Sequence, residues 1–194
     1  MRAIKTTTIS ILAAGLLAGS AVGVAAQDQS SGYFTGSIDE STATQIDGVF
    51  ESGPPDTGRG MGFVGATVET DDERISGTLS QALNFDWSGP EPTLVHTGAS
   101  LWRIENDGGA WVGHGTEFSY TDDWTQWDEE DPSTWGPTGN FVVLTGEGDY
   151  EGMTAMVTTQ PSDVGVSSLS GVVFSGEVPP VPEMMPTAES TATE

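Results

Sequence analysis

Between positions 74 and 87 apolar and polar residues alternate. Ile75, Leu79, Leu83, Phe85 and Trp87 share one parity; Ser76, Thr78, Ser80, Asn84 and Asp86 share the other. A period of two marks a β-strand with one buried face. Gly77 and Gln81 interrupt the apolar side. A buried glutamine needs hydrogen-bond partners, so Gln81 is either satisfied inside the fold or marks a polar pocket there. Residues 100–120 read as two further strands turned at Asn106-Asp107-Gly108-Gly109, a composition suited to a tight hairpin. A two- or four-residue connection sets Glu105 opposite Ala110, Leu101 opposite His114 and Trp102 opposite Gly113. Trp102, Ile104 and Trp111 then share one face, while Arg103 and Glu105 take the other. An aromatic laid across from a glycine pins register.

Further strands are expected over 32–38, 45–51, 61–69, 140–144, 153–159 and 168–174. Loops are expected over 52–60, 70–73, 88–92 and, long and acidic, 121–137. No stretch carries a helical period, and many short strands with glycine-rich turns point to an all-β sandwich or barrel. Gly36, Gly77, Gly98, Gly113, Gly146 and Gly171 lie inside strand-like runs, where glycine marks tight bends or close backbone approach. The expected fold is therefore a closed, mostly antiparallel β-barrel of about eight strands, with a β-sandwich as the alternative.

The turn Gly146-Glu147-Gly148-Asp149-Tyr150-Glu151-Gly152 resembles the Gly-x-Gly-x-Tyr-x-Gly turn of allene oxide cyclase-like and dirigent-like barrels. Ile75-Ser76-Gly77-Thr78, the stretch 102–111 and Gly171-Val172-Val173-Phe174 resemble a group of secreted bacterial proteins. The likeness spans residues 60–178 and rests on pattern and strand order. It implies a barrel with a central cavity and, as one function, an isomerase or cyclase working in it.

The first residues read as an address. Arg2 and Lys5 precede an apolar run from Ile9 to Gly19, and Val24-Ala25-Ala26 has the small residues of a signal-peptidase site. The expected division is a signal peptide over 1–26, a polar lead-in over 27–31, a β-barrel domain over 32–177 and a disordered tail over 178–194, rich in Pro, Glu and Thr. The product would be secreted or held at the cell surface. An uncleaved N-terminal anchor is the alternative, although the apolar run is shorter than the ~20 residues of a membrane span. Removing 1–26 takes two of the five cations and none of the 29 acids, so the net charge moves from −24 to −26. Such a surface repels phosphate backbones, which argues against nucleic-acid partners, and it suits solubility in salt or the gathering of cations. With no cysteine, disulfides and thiolate chemistry are excluded.

Candidate chemistry is sparse. There is no Gly-x-Ser-x-Gly elbow and no phosphate-binding glycine loop, so a non-enzymatic role is the leading expectation. That role is binding of a small ligand in the barrel, lined by Ile75, Leu79 and Leu83 or by the opposite parity, or service as a surface or matrix component. In the hairpin register His96 lies five residues beyond the partner of His114, ~17 Å away at ~3.4 Å per residue, so the two cannot share a zinc ion. Glu117 falls opposite Gly98, diagonal to His96, which makes His96 and Glu117 a candidate acid/base pair; Gln81 and His114 are further candidate ligand-binding residues. Trp124 and Trp127 offer aromatic platforms for a glycan or a cover for one barrel mouth. The carboxylates Asp122, Asp123, Asp128, Glu129 and Asp131 could hold calcium, a hard cation that takes oxygen ligands, though their spacing is not that of an EF-hand. No other cofactor is expected.

Overall fold

Alternation becomes strand over most of the chain. The computed structural model describes residues 31–53, 55–89, 92–126, 128, 131–134 and 136–179. The strands are β1 (Gly32–Asp39), β2 (Thr44–Ile46), β3 (Val49–Glu51), β4 (Asp56–Thr70), β5 (Gly77–Ser88), β6 (Leu94–Asn106), β7 (Gly109–Thr121), β8 (Thr138–Gly148), β9 (Met153–Asp163) and β10 (Val166–Ser175). The expected signal peptide, the lead-in up to residue 30 and the tail from residue 180 lie outside the described residues. No helix among the described residues is long and apolar enough to cross a membrane.

The protein is all-β, and its sheet is antiparallel throughout. From β4 to β10 each strand pairs with the next, and β10 pairs with β1. β1 then pairs with β4, Gly36 opposite Thr70 and Asp39 opposite Thr67. That pairing brings the sheet back to its start, so β1 and β4 to β10 ring round one interior. β2 and β3 lie beside β4 beyond the end of β1, with Thr44 opposite Val64 and Phe50 opposite Gly58. The 45–51 strand is thus two short pieces, broken at Asp47 and Gly48, where φ of 60° at Gly48 turns the chain. β4 begins at Asp56, inside the expected loop. A register shift between Gly58 and Met61 absorbs one extra residue there.

The β6–β7 hairpin has the anticipated register. Glu105 is opposite Ala110, Leu101 opposite His114 and Trp102 opposite Gly113. Trp102, Ile104 and Trp111 are all but fully buried. Arg103 faces outward between Glu105 and Glu147, at 2.9 and 3.0 Å. Gly113 is required by close approach: a Cβ there would fall 1.8 Å from the Val143 carbonyl oxygen.

The interior has two unlike halves. Call lower the end bearing the β4–β5, β6–β7 and β8–β9 turns. There Phe34, Val68, Leu79, Ile104, Leu144 and Val173 pack with both tryptophans into a solid core. Ile75 lies in the β4–β5 turn and not in a strand, yet it is fully buried in the same core. Ile75 and Leu79 therefore line no cavity. Asn106 fastens this end. Its Nδ2 donates to the carbonyls of Arg74 (3.1 Å) and Ser76 (2.8 Å), and its Oδ1 accepts from Gly108 N (3.0 Å) and the Tyr150 hydroxyl (2.8 Å). Trp111 Nε1 donates to the same Arg74 carbonyl at 2.7 Å, and its ring stacks on Tyr150 at 5.1 Å. The Gly146–Gly152 turn thus presents Tyr150 to the hairpin. Tyr150→Phe keeps the stack and removes one bond to Asn106, so an equilibrium urea melt should show a loss of about 1 kcal/mol.

Candidate functional site

The upper half of the interior is polar because the inward parity of the sequence changes character there. On β6 the inward positions run from Ile104 and Trp102 to Ser100, Gly98 and His96. On β7 they run from Trp111 to Glu117 and Ser119. Gly98 stands opposite Glu117 and gives it room; Asn140 of β8 is its partner on the other side, and Thr159 of β9 is next in the row. Four adjacent strands thus carry one lateral band of small and polar groups. A cavity of about 60 Å³ lies against it, lined by His96, Glu117, Asn140, Thr159, Pro161 and Ser167, together with Phe118, Thr138 and Gly139.

Glu117 is the centre of this pocket. It accepts a short hydrogen bond from Gln81 Nε2. Burial pushes its carboxyl up to about 7; the bond from Gln81 opposes the shift, the charge of Glu40 adds to it, and the nearby Ser100 hydroxyl opposes it weakly. Ser100 Oγ itself lies buried without a well-formed hydrogen bond. Glu40, in the connection after β1, is also raised, by burial and by the charge of Asp39. On the other wall His96 packs edge-on against Phe85 (5.0 Å) and Trp87 (6.0 Å). Burial holds its imidazole below the usual range. His96 Nε2 and Trp87 Nε1 are buried without a hydrogen-bond partner. Asn140 donates from Nδ2 to Thr159 Oγ1 at 3.2 Å, while its Oδ1 is buried and unpartnered. Buried polar groups are nearly always paired, so these atoms are the exceptions that ask for a ligand or water.

Of the residues singled out in the sequence, Gln81, His96 and Glu117 come together here. His96 and Glu117 share the pocket without bonding to each other. His114 is exposed on the outer face, one parity away from Glu117, and takes no part. Asp123 and Asp131 are committed to short turns: Asp123 Oδ1 accepts from Thr125 N and Oγ1, Asp131 Oδ1 from Ser133 N and Oγ. Asp122 accepts from the Tyr120 hydroxyl, and Asp128 is exposed. Among the described residues no three His, Asp or Glu side chains are grouped to hold a metal ion, so the calcium reading finds no converged ligand set there. Trp127, Glu129 and the Trp124 side chain lie outside the described residues. Asn140, Thr159, Ser167 and Glu40 were not singled out. Asn140 stands beside Glu117 through the β7–β8 register, which the long 122–137 connection leaves unset in the sequence.

A larger hollow of about 360 Å³ opens widely on the outer side of β4 to β6. Its cation is spoken for: Arg59 donates to the Phe85 carbonyl at 2.5 Å and pairs with Asp86 at 2.6 Å. Of the buried polar atoms without a partner among the described residues, His96 Nε2 and Asn140 Oδ1 belong to residues of the smaller inner pocket, Trp87 Nε1 and Ser100 Oγ to the same upper half, and Trp102 Nε1 to the lower core. No family model, curated protein or solved structure matches the chain.

Proposed function

We propose that this is an exported, non-catalytic binding protein that holds a small polar ligand in the upper pocket of the strand ring. The observation that carries the reading is the pair of buried, unpartnered atoms, His96 Nε2 and Asn140 Oδ1, on residues that flank Glu117 and line one cavity with it. The solid lower core restricts the ligand to that end. A volume of about 60 Å³ is far below the ~300–1,000 Å³ of drug-sized sites, so the ligand, or the part of it that enters, is a few heavy atoms across. The likeness of the Gly146–Gly152 turn to cyclase-like and dirigent-like barrels enters this proposal as a likeness of architecture alone. Export rests on the leader-like residues 1–26 and the strongly acidic composition.

The test is an amide and imidazole NMR titration of the full chain with small cationic, neutral and anionic compounds. Saturable shifts centred on His96, Glu117, Asn140 and Thr159 are expected for at least one charge class. Shifts confined to the outer face, or none with any class, would sink the reading.

A further inference from the structure

The lining of the pocket defines the kind of group it takes. Glu117 offers a carboxylate oxygen beyond the one engaged by Gln81. Asn140 offers a carbonyl oxygen with no donor, because its amide nitrogen is turned to Thr159. His96 offers Nε2, an acceptor in one neutral tautomer. No cation of the described chain reaches these acceptors. Arg59 is paired with Asp86, Arg74 with Asp72 at the lower end, and Arg103 with Glu105 and Glu147 outside. The three acceptor-bearing side chains therefore line one small cavity with no counter-charge among the described residues, and Glu40 adds a second carboxyl close enough to act on Glu117. A net charge of −24 also concentrates cations at the surface and raises their encounter rate.

We infer that the upper pocket binds a small organic ammonium ion, its N–H groups donating to Glu117, Asn140 Oδ1 and His96 Nε2. An ammonium head supplies three donors in a compact volume, which matches the acceptor count and the size of the cavity. A charge-assisted bond to a desolvated carboxylate is also stronger than a neutral one. A methyl or ethyl substituent would lie against Pro161 and the pocket rim. This inference rests on the proposed binding role of the same pocket and narrows it to one ligand chemistry.

The experiment titrates the full chain with ethylammonium chloride at pH 7.5, reading the amides of Glu117, Asn140 and Thr159 and the His96 ring by NMR. Ethanol, sodium acetate and sodium chloride serve as matched arms. Saturation with ethylammonium alone is expected, with at least tenfold weaker affinity in Glu117→Gln and a clear weakening in Asn140→Leu, which leaves the carboxyl in place. Saturation with ethanol that equals ethylammonium and is untouched by Glu117→Gln overturns the ammonium inference and leaves the pocket reading standing. Equal saturation by sodium chloride overturns it in favour of a simple cation site. Ethylammonium shifts confined to outer carboxylates overturn it as surface screening. Silence of the pocket residues in every arm removes both readings together.

Discussion

Trp111→Ala is expected to destabilise the protein by about 3–5 kcal/mol, the range for deleting a large buried aromatic. For a domain of this size that lowers Tm by roughly 6–20 °C, measurable by circular dichroism or calorimetry. Three things are lost at once. The ring is fully buried in the core of the lower end. Its stack on Tyr150, at 5.1 Å and 17°, ties the β8–β9 turn to β7. Its Nε1 satisfies the Arg74 carbonyl, which holds the turn carrying Ile75 across the ring. Trp111→Phe separates these contributions. It keeps an aromatic ring against Tyr150 but loses the hydrogen bond and part of the buried ring volume, so it should cost about 2–3 kcal/mol, less than alanine. A Trp111→Ala protein as stable as the parent would mean that the lower end is not the packed half of the ring. With no disulfide available, the loss cannot be masked by a covalent staple.

The same residue shows what could be read from the chain and what could not. Trp111 and Trp102 were placeable because their hairpin closes through two residues, Asp107 and Gly108, and short connections fix register. Alternation is a local property, and it survived folding in β5, β6 and β7. That the sheet would come back on itself was expected from the glycines inside strand-like runs, but the pair that does it was not placeable, because β1 meets β4 across more than 25 residues of intervening chain and the pairing leaves no sequence signature. Ile75 kept its buried role but not its strand. The parity rule found its burial, while the turn that delivers it depends on the hydrogen bonds of Asn106, which no local pattern encodes. In the pocket the division is the same. His96, Glu117 and Gln81 were legible from one hairpin and one periodic strand. His114 belonged to the opposite parity of β7, so the register itself separates it from Glu117. Thr159 and Ser167 depend on how β9 and β10 are reached. Glu40 sits in a connection, where alternation says nothing about direction.

Glu117→Gln is expected to make the protein more stable than the parent above neutral pH, by about 3 kcal/mol from a carboxyl moved from 4.5 to about 7. The direction follows from proton counting. Between these values the folded protein holds a proton on Glu117 that the unfolded chain has released, so stability falls as pH rises. The contribution is fully present below about 4.5 and is lost as pH passes through about 7. His96 acts in the opposite sense. Its folded value is depressed by burial, so its contribution is present above the ordinary imidazole range near 6.5 and is lost as pH falls through the folded value. Glu40, raised by burial, follows Glu117, whereas Gln81, Ser100, Asn140 and Thr159 around the pocket do not titrate. The many surface carboxylates add their own slope, which is why the measurement is a difference. Urea midpoints of parent and Glu117→Gln, taken from pH 4 to pH 9, should coincide near pH 4 and separate through the 4.5–7 window. Coincident curves at every pH would show Glu117 to be solvated like any surface glutamate and its pocket to be open water. A gap that closes when ethylammonium is added to the parent at pH 8 would join the two results: an ammonium bound to the ionised carboxylate stabilises the folded state by mass action and offsets the cost of burying that charge.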